Sequence, residues 1–189
     1  MARFGFLSTY PPTRCGLATF TEALAGAMGE HGPRVVRVMD EASPLDSPRF
    51  GASIVAAELV GGERASVRAS IRALNDFDVV IVQHEYGIYG GDDGDEVLAV
   101  LDGLSSPSIV VLHTVLATPT PGQKRVVERV SVLATAIVVM SDAARGILET
   151  GYDVVMAKVN VIPHGVATAP ARSTVQAVRP VPGRVLTWG

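Results

Sequence analysis

Cysteine is nearly absent from this sequence: Cys15 is the only one in 189 residues. An internal disulfide is therefore excluded, and packing alone must hold the fold, as suits a reducing compartment. Charge is sparse at 19% and aromatic residues stand at 5%, against 48% hydrophobic residues, a balance that excludes disorder and favours a well-filled interior. Lys and Arg number 16 and Asp and Glu 19, so the net charge of −3 leaves no electrostatic footprint for nucleic acid. No apolar run approaches the roughly 20 residues that span a bilayer, and the opening MARFGFLSTYPP is too short in apolar residues for a signal-peptide core. These absences predict a soluble, cytoplasmic protein, with peripheral membrane contact left open. Sharp motifs are missing too. No GxGxxG follows the first apolar run and no GxxxxGK[ST] occurs, which argues against the usual dinucleotide and P-loop sites. His84-Glu85 does not complete HExxH, because Ile88 stands where the second histidine would be, and no metal site is expected.

What is present is organised around residues 78–94, DVVIVQHEYGIYGGDDG. Val79, Val80, Ile81 and Val82 are apolar on every side, as in a strand covered on both faces. Gln83, His84 and Glu85 follow at once, and then a glycine-rich loop carrying Tyr86, Tyr89, Asp92 and Asp93. Before this stretch, residues 4–7 read as a strand and 8–14 as a proline-stiffened loop. A helix is predicted over 16–30, with Leu17, Phe20, Leu24 and Met28 on its inner face, and a strand over 35–39. A loop over 40–49, a strand over 54–60 and a helix through Val67, Ile71 and Leu74 complete the first half. After it, Val97, Leu98, Leu101 and Leu104 mark a helix, and 108–112 a strand closed by His113 and Thr114. Thr120 and Pro121 start a helix, 136–140 is a strand, Ser141 caps the next helix, and 158–162 is a last strand before Pro163-His164-Gly165. Residues 167–183 have the composition of a linker; 184–189 then read either as the first strand of a second domain or as a tail on the sheet edge.

Strands alternating with helices predict an α/β fold: a Rossmann-like, doubly wound, mostly parallel sheet with helices on both faces. In such sheets ligands bind beyond the carboxyl ends of the strands, where the order reverses. The first loop, the glycine loop and His113 are accordingly expected around one cavity. His84, His113 and His164 all follow strands, either as ligand contacts or as polar end-caps satisfied by backbone; His31, beside a helix stop, reads as a C-terminal cap. Gly16 at a helix start would let a phosphate approach backbone N–H groups, and Cys15 would be a thiol near the same terminus. Lys124, Arg125 and Arg129 read as a solvated helix face.

With these residues in view, the chain resembles the N-terminal domain of a GT-B glycosyltransferase of family 4, the group 1 glycosyltransferases. The pieces are YPPTRCGLATFTEAL at 10–24, VQHEYGIYGG at 82–91, LHTVL at 112–116, VVMSDAARGIL at 138–148 and VIPHGV at 161–166, with RVLTWG at 184–189 resembling the opening strand of a second domain. The resemblance implies a division into an acceptor-side domain at 1–166, a linker at 167–183 and the start of a nucleotide-sugar-binding domain at 184–189. It implies a retaining transfer of sugar from a nucleotide-sugar, used as substrate with no cofactor, to the hydroxyl of a sugar or lipid-linked acceptor, and inactivity without the second domain and its paired glutamates. Residue by residue, His113 would reach the transferred sugar, and Gly16 with Cys15 would meet the donor phosphates, although the family often has two glycines where this chain has Cys15-Gly16. His84, Glu85, Tyr86, Thr114 and Ser141 would contact the acceptor or sugar. Two other classes compete: a non-catalytic sugar- or nucleotide-binding module, and a metal-dependent hydrolase using His84, His113 and Glu85.

Overall fold

The structure, a computed structural model, describes residues 1–40 and 54–165. The loop expected over 41–49, the linker and the strand over 184–189 fall outside the described residues. Within them, short, largely apolar runs form the strands β1 (Phe4–Ser8), β2 (Arg34–Met39), β3 (Val55–Val60), β4 (Val79–His84), β5 (Ser108–Leu112), β6 (Ala136–Val139) and β7 (Val159–Val161). They make one sheet in the order β3-β2-β1-β4-β5-β6-β7, and every pairing is parallel. The helices are α1 (Gly16–Ala27), α2 (Arg64–Leu74), α3 (Glu96–Asp102), α4 (Pro121–Leu133) and α5 (Asp142–Gly151). This is the Rossmann-like α/β arrangement that the alternation predicts.

The pleat sorts each strand between two layers. Val80 and Val82 of β4, with Val110 and Leu112 of β5, pack under α2 to α5 through Leu74, Val97, Val126 and Leu148. Ile81 and Val111 face the other way, into a smaller cluster with Phe6, Val35 and Ala25 of α1. Thus α1 has one face of the sheet to itself among the described helices.

The inner face of α1 differs from the sequence expectation. Leu17, Phe20, Leu24 and Met28 are only half-buried; the residues fully inside are Ala18, Thr21 and Ala25. The helix lies close against β1, where the Thr21 hydroxyl meets the Ser8 hydroxyl at 2.7 Å, and only small side chains fit that gap. Phe20 and Leu24 are pushed to the flank, where they border an apolar groove of about 680 Å³ over Ile81, Ile109 and Val138.

Helix ends follow the sequence more closely. Thr120 forms a reciprocal capping box with Gln123 before Pro121, and the Ser141 hydroxyl accepts from Ala144 N at 3.1 Å. The α4 carboxyl end is closed by Lys158, whose Nζ donates to the Ser131, Val132 and Ala134 carbonyls. His31 does not cap α1 directly: it ends a separate short helical turn, Gly29–His31, and packs edge-on against Phe4.

The glycine loop after β4 is fixed by close backbone approaches. Tyr89 donates to the Gln83 carbonyl at 2.7 Å, and the Glu96 carboxylate accepts from Gly62 N at 2.9 Å and Gly90 N at 3.3 Å. At Gly94 the backbone has φ of 75°, and an added Cβ would lie 2.5 Å from the Tyr86 carbonyl oxygen. Gly94→Ala therefore meets both a steric and a conformational obstacle and is expected to lower unfolding free energy by about 2–4 kcal/mol. Urea denaturation of the variant checks this; a change within about 0.5 kcal/mol, the range of ordinary surface substitutions, would show that the loop does not hold this shape.

Candidate functional site

Because every strand runs in the same direction, the loops after β1, β2, β4, β5 and β6 emerge on one rim. The order reverses between β1 and β4, which pair from Phe4↔Val79 to Leu7↔Val82, so the chain departs from these neighbours in opposite directions and leaves a crevice at their ends. A cavity of about 550 Å³ sits there, bounded by Thr9, Thr13 and Cys15 of the first loop, by Val38 and Met39 at the end of β2 with Asp40 just beyond, and by Gly87 and Ile88 of the glycine loop.

Cys15 holds one corner. Its Sγ accepts from Ala18 N at 3.4 Å as the N-cap of α1 and lies 3.2 Å from the Thr9 hydroxyl. The thiol thus has a structural task, and among the described residues no basic side chain is bonded to it. Within the first turn of α1 the Gly16 and Leu17 N–H groups have no intrahelical acceptor. Nothing lies within 4 Å of the place a Gly16 Cβ would take, so the helix terminus is open on that side.

His113 stands on the same rim, around the corner of α1. Its Nε2 is 2.7 Å from Gln83 Oε1, and its ring packs edge-on against Phe20, which in turn meets His164. Burial first, and the neighbouring His164 second, lower the His113 pKa to about 4, so the ring is neutral near pH 7. The first loop and the glycine loop share the crevice as expected; His113 is on the same rim but does not line that cavity.

His84 goes elsewhere. It shares strand parity with Val80 and Val82, so its ring enters the core between Tyr86 and Tyr89 and is fully buried. Neither ring nitrogen has a hydrogen-bond partner among the described residues, and burial, with a smaller contribution from His113, lowers its pKa to about 4. His84 and His113 therefore occupy opposite sides of the sheet, and no three His, Cys, Asp or Glu side chains converge among the described residues. The hydrolase alternative loses its ligand set for that reason.

The remaining candidates divide between brace and surface. Glu85 is half-buried, accepting from its neighbour Tyr86 N at 3.0 Å and from the Thr114 hydroxyl, which ties the β4 and β5 loops together. Tyr86 packs into the main core, and burial first, then Tyr152, raises its pKa. Ser141 is exposed and is occupied in capping α5. The sequence reading missed Gln83 as the holder of His113, although its alternation with Ile81 puts it on that face. It also left Asp40 in a loop with no role assigned, and Asp40 carries the formal negative charge on the crevice wall.

No protein-family model and no curated protein matches the chain. Among solved structures, it is similar to an alpha-glucosyltransferase in complex with UDP and a 13-mer DNA containing an A:G mismatch, with TM-score 0.55 and 15% identity, covering 75% of this chain and 38% of that one. The same kind of enzyme with UDP alone gives TM-score 0.52 and 16% identity over 75% and 36%. A glycosyltransferase from Rickettsia africae gives TM-score 0.56 and 12% identity over 87% and 44%. At such identities the likeness shows the fold, and the chain spans less than half the length of these neighbours.

The buried neutral histidines set a pH dependence. Both have pKa values lowered from an unfolded value of 6.5, so the unfolded chain takes up protons first as pH falls. The stability that these neutral rings contribute is fully present above pH 6.5 and is lost between there and about pH 4, on the order of 3 kcal/mol for His84. An NMR titration of the imidazole rings checks this. His84 is expected to stay neutral until pH nears 4; a midpoint close to 6.5 would contradict its placement in the core.

Proposed function

We propose that this chain is the acceptor-side half of a retaining glycosyltransferase of GT-B architecture, family 4, which moves a sugar from a nucleotide-sugar to an acceptor hydroxyl. The observation that carries the reading is the joint presence, on one rim, of an open α1 N-terminus, a neutral histidine held by Gln83 and a crevice at the β1–β4 reversal. The fold neighbours that are glycosyltransferases, two of them described with UDP, support it.

The chemistry follows from the groups available. As a diphosphate departs from the sugar, negative charge develops on it, and the Gly16 and Leu17 N–H groups at the positive end of α1 stabilise that charge. Gln83 Oε1 accepts from His113 Nε2–H in the neutral ring, which leaves Nδ1 free to accept from a sugar hydroxyl. Glu85 and Thr114 brace the loop between these elements, the acceptor sits in the Thr13–Asp40–Gly87 crevice, and no resident cofactor is required. The second half of the enzyme supplies most of the donor site, so this half alone is inactive.

His113→Ala in the full-length protein is expected to lower transfer turnover by at least about 100-fold, as for loss of a group acting at the reacting centre. A transfer assay with radiolabelled nucleotide-sugar, alongside a melting curve to verify folding, checks it. Turnover within a few-fold of wild type in a folded variant would remove His113 from the site.

A further inference from the structure

We infer that Phe20 is a positioning residue for the transfer histidine: with Gln83 it fixes the plane of the His113 ring, and it walls that ring off from the apolar groove over Ile81, Ile109 and Val138. This inference rests on the transferase reading, because Phe20 acts on the reaction only through His113.

Two contacts of different kinds define the ring. Gln83 Oε1 meets His113 Nε2 at 2.7 Å, which pins the far end of the imidazole but leaves it free to turn about the line from Cβ to Nε2. Phe20 removes that freedom. Its ring stands at 84° to the imidazole with centroids 5.0 Å apart, the edge-to-face geometry in which aromatic pairs attract. Phe20 also meets His164 at 5.0 Å, so it links the loops that leave β5 and β7. Phe20 and His164 both line the groove and His113 does not, which makes these two rings the wall between them.

The place of Phe20 on α1 ties this wall to the rest of the site. It lies one turn after Gly16 on the same helix face, and helical side chains lean toward the N-terminus. The helix that offers the Gly16 and Leu17 N–H groups therefore also sets the histidine. Gly16 carries no side chain, and nothing lies within 4 Å of the place its Cβ would take, so that turn is open to a ligand.

The same wall keeps water from the ring. Burial first, and His164 second, hold the His113 pKa at about 4. The titratable groups that face His113 are His164, beyond Phe20, and His84, on the other side of the sheet. A protonated ring would gain a cation–π contact with Phe20, yet the loss of water outweighs that gain, as the downward direction shows.

The test uses the full-length protein with Phe20→Ala, Phe20→Leu and Phe20→Tyr, each checked for folding by a melting curve. Two readouts are taken: the His113 midpoint by NMR titration, and kcat and KM for transfer from a nucleotide-sugar across a range of pH. In the wild type the midpoint is expected near 4. Phe20→Ala is expected to raise it by at least about one pH unit, to move the acid limb of the rate profile up with it, and to lower kcat about 10-fold with KM changed less than about threefold. Phe20→Leu keeps the apolar bulk without the ring, so the midpoint is expected to stay low while kcat falls about fivefold; Phe20→Tyr is expected to restore both readouts. A midpoint that does not move in folded Phe20→Ala, a kcat within about threefold of wild type, or a loss that Phe20→Tyr does not restore, would overturn the inference and leave the transferase reading intact. A raised midpoint in Phe20→Ala, in a protein that transfers from no nucleotide-sugar, would uphold the hold of Phe20 on His113 and sink the transferase reading.

Discussion

The structure depends on the uniform direction of its strands. A parallel sheet cannot be joined by hairpins, so each strand must be followed by a crossover, and every crossover begins at the same edge. Once β1 and β4 pair side by side with their chains leaving in opposite directions, a crevice must open at their carboxyl ends. The residues of the proposed site sit at that edge. Among the described residues the opposite edge carries short returns, such as the turn at Phe77 and Asp78, where Arg3 is bonded to Asp78.

Within that frame the pleat decides which polar residue serves the rim and which serves the core. Gln83 and His84 are adjacent in sequence yet work on opposite faces. Gln83 turns toward α1 and holds His113; His84 turns to the face that α2 to α5 cover and packs between two tyrosines. The cost of burying an imidazole without hydrogen bonds is met in the neutral form, which explains why acid is expected to loosen this region first. The glycine loop over it is locked by Tyr89, Glu96 and three tight glycine contacts, so Gly87 and Ile88 are presented to the crevice from a rigid base.

Much of this was legible in the sequence because it rests on local signals. The β-branched runs at 79–82 and 109–112 announced buried strands, and Thr120-Pro121 and Ser141 announced helix starts by capping chemistry. The inner face of α1 was not legible. Ala18, Thr21 and Ala25 carry little hydropathy, and what selects them is the closeness of β1, a tertiary constraint. The Gln83–His113 bond joins residues 30 apart, and the Glu96 clamp reaches 34 residues back to Gly62; no spacing rule discloses either. His84 was placed with the rim because it ends a strand, although the period-two alternation with Val80 and Val82 points it inward. The rim itself was predictable from topology, whereas which side chains share a cavity required coordinates.

The proposed site puts bound ligands at the β1–β4 reversal. Hydrogen–deuterium exchange on the full-length protein, with and without nucleotide-sugar and acceptor, is the decisive test. Protection is expected in the loops that leave β1, β4 and β5, around Gly16, Gly87 and Thr114. Protection confined to the opposite edge, around Gly32, Asp76 and Ser105, or no change at either edge, would contradict it.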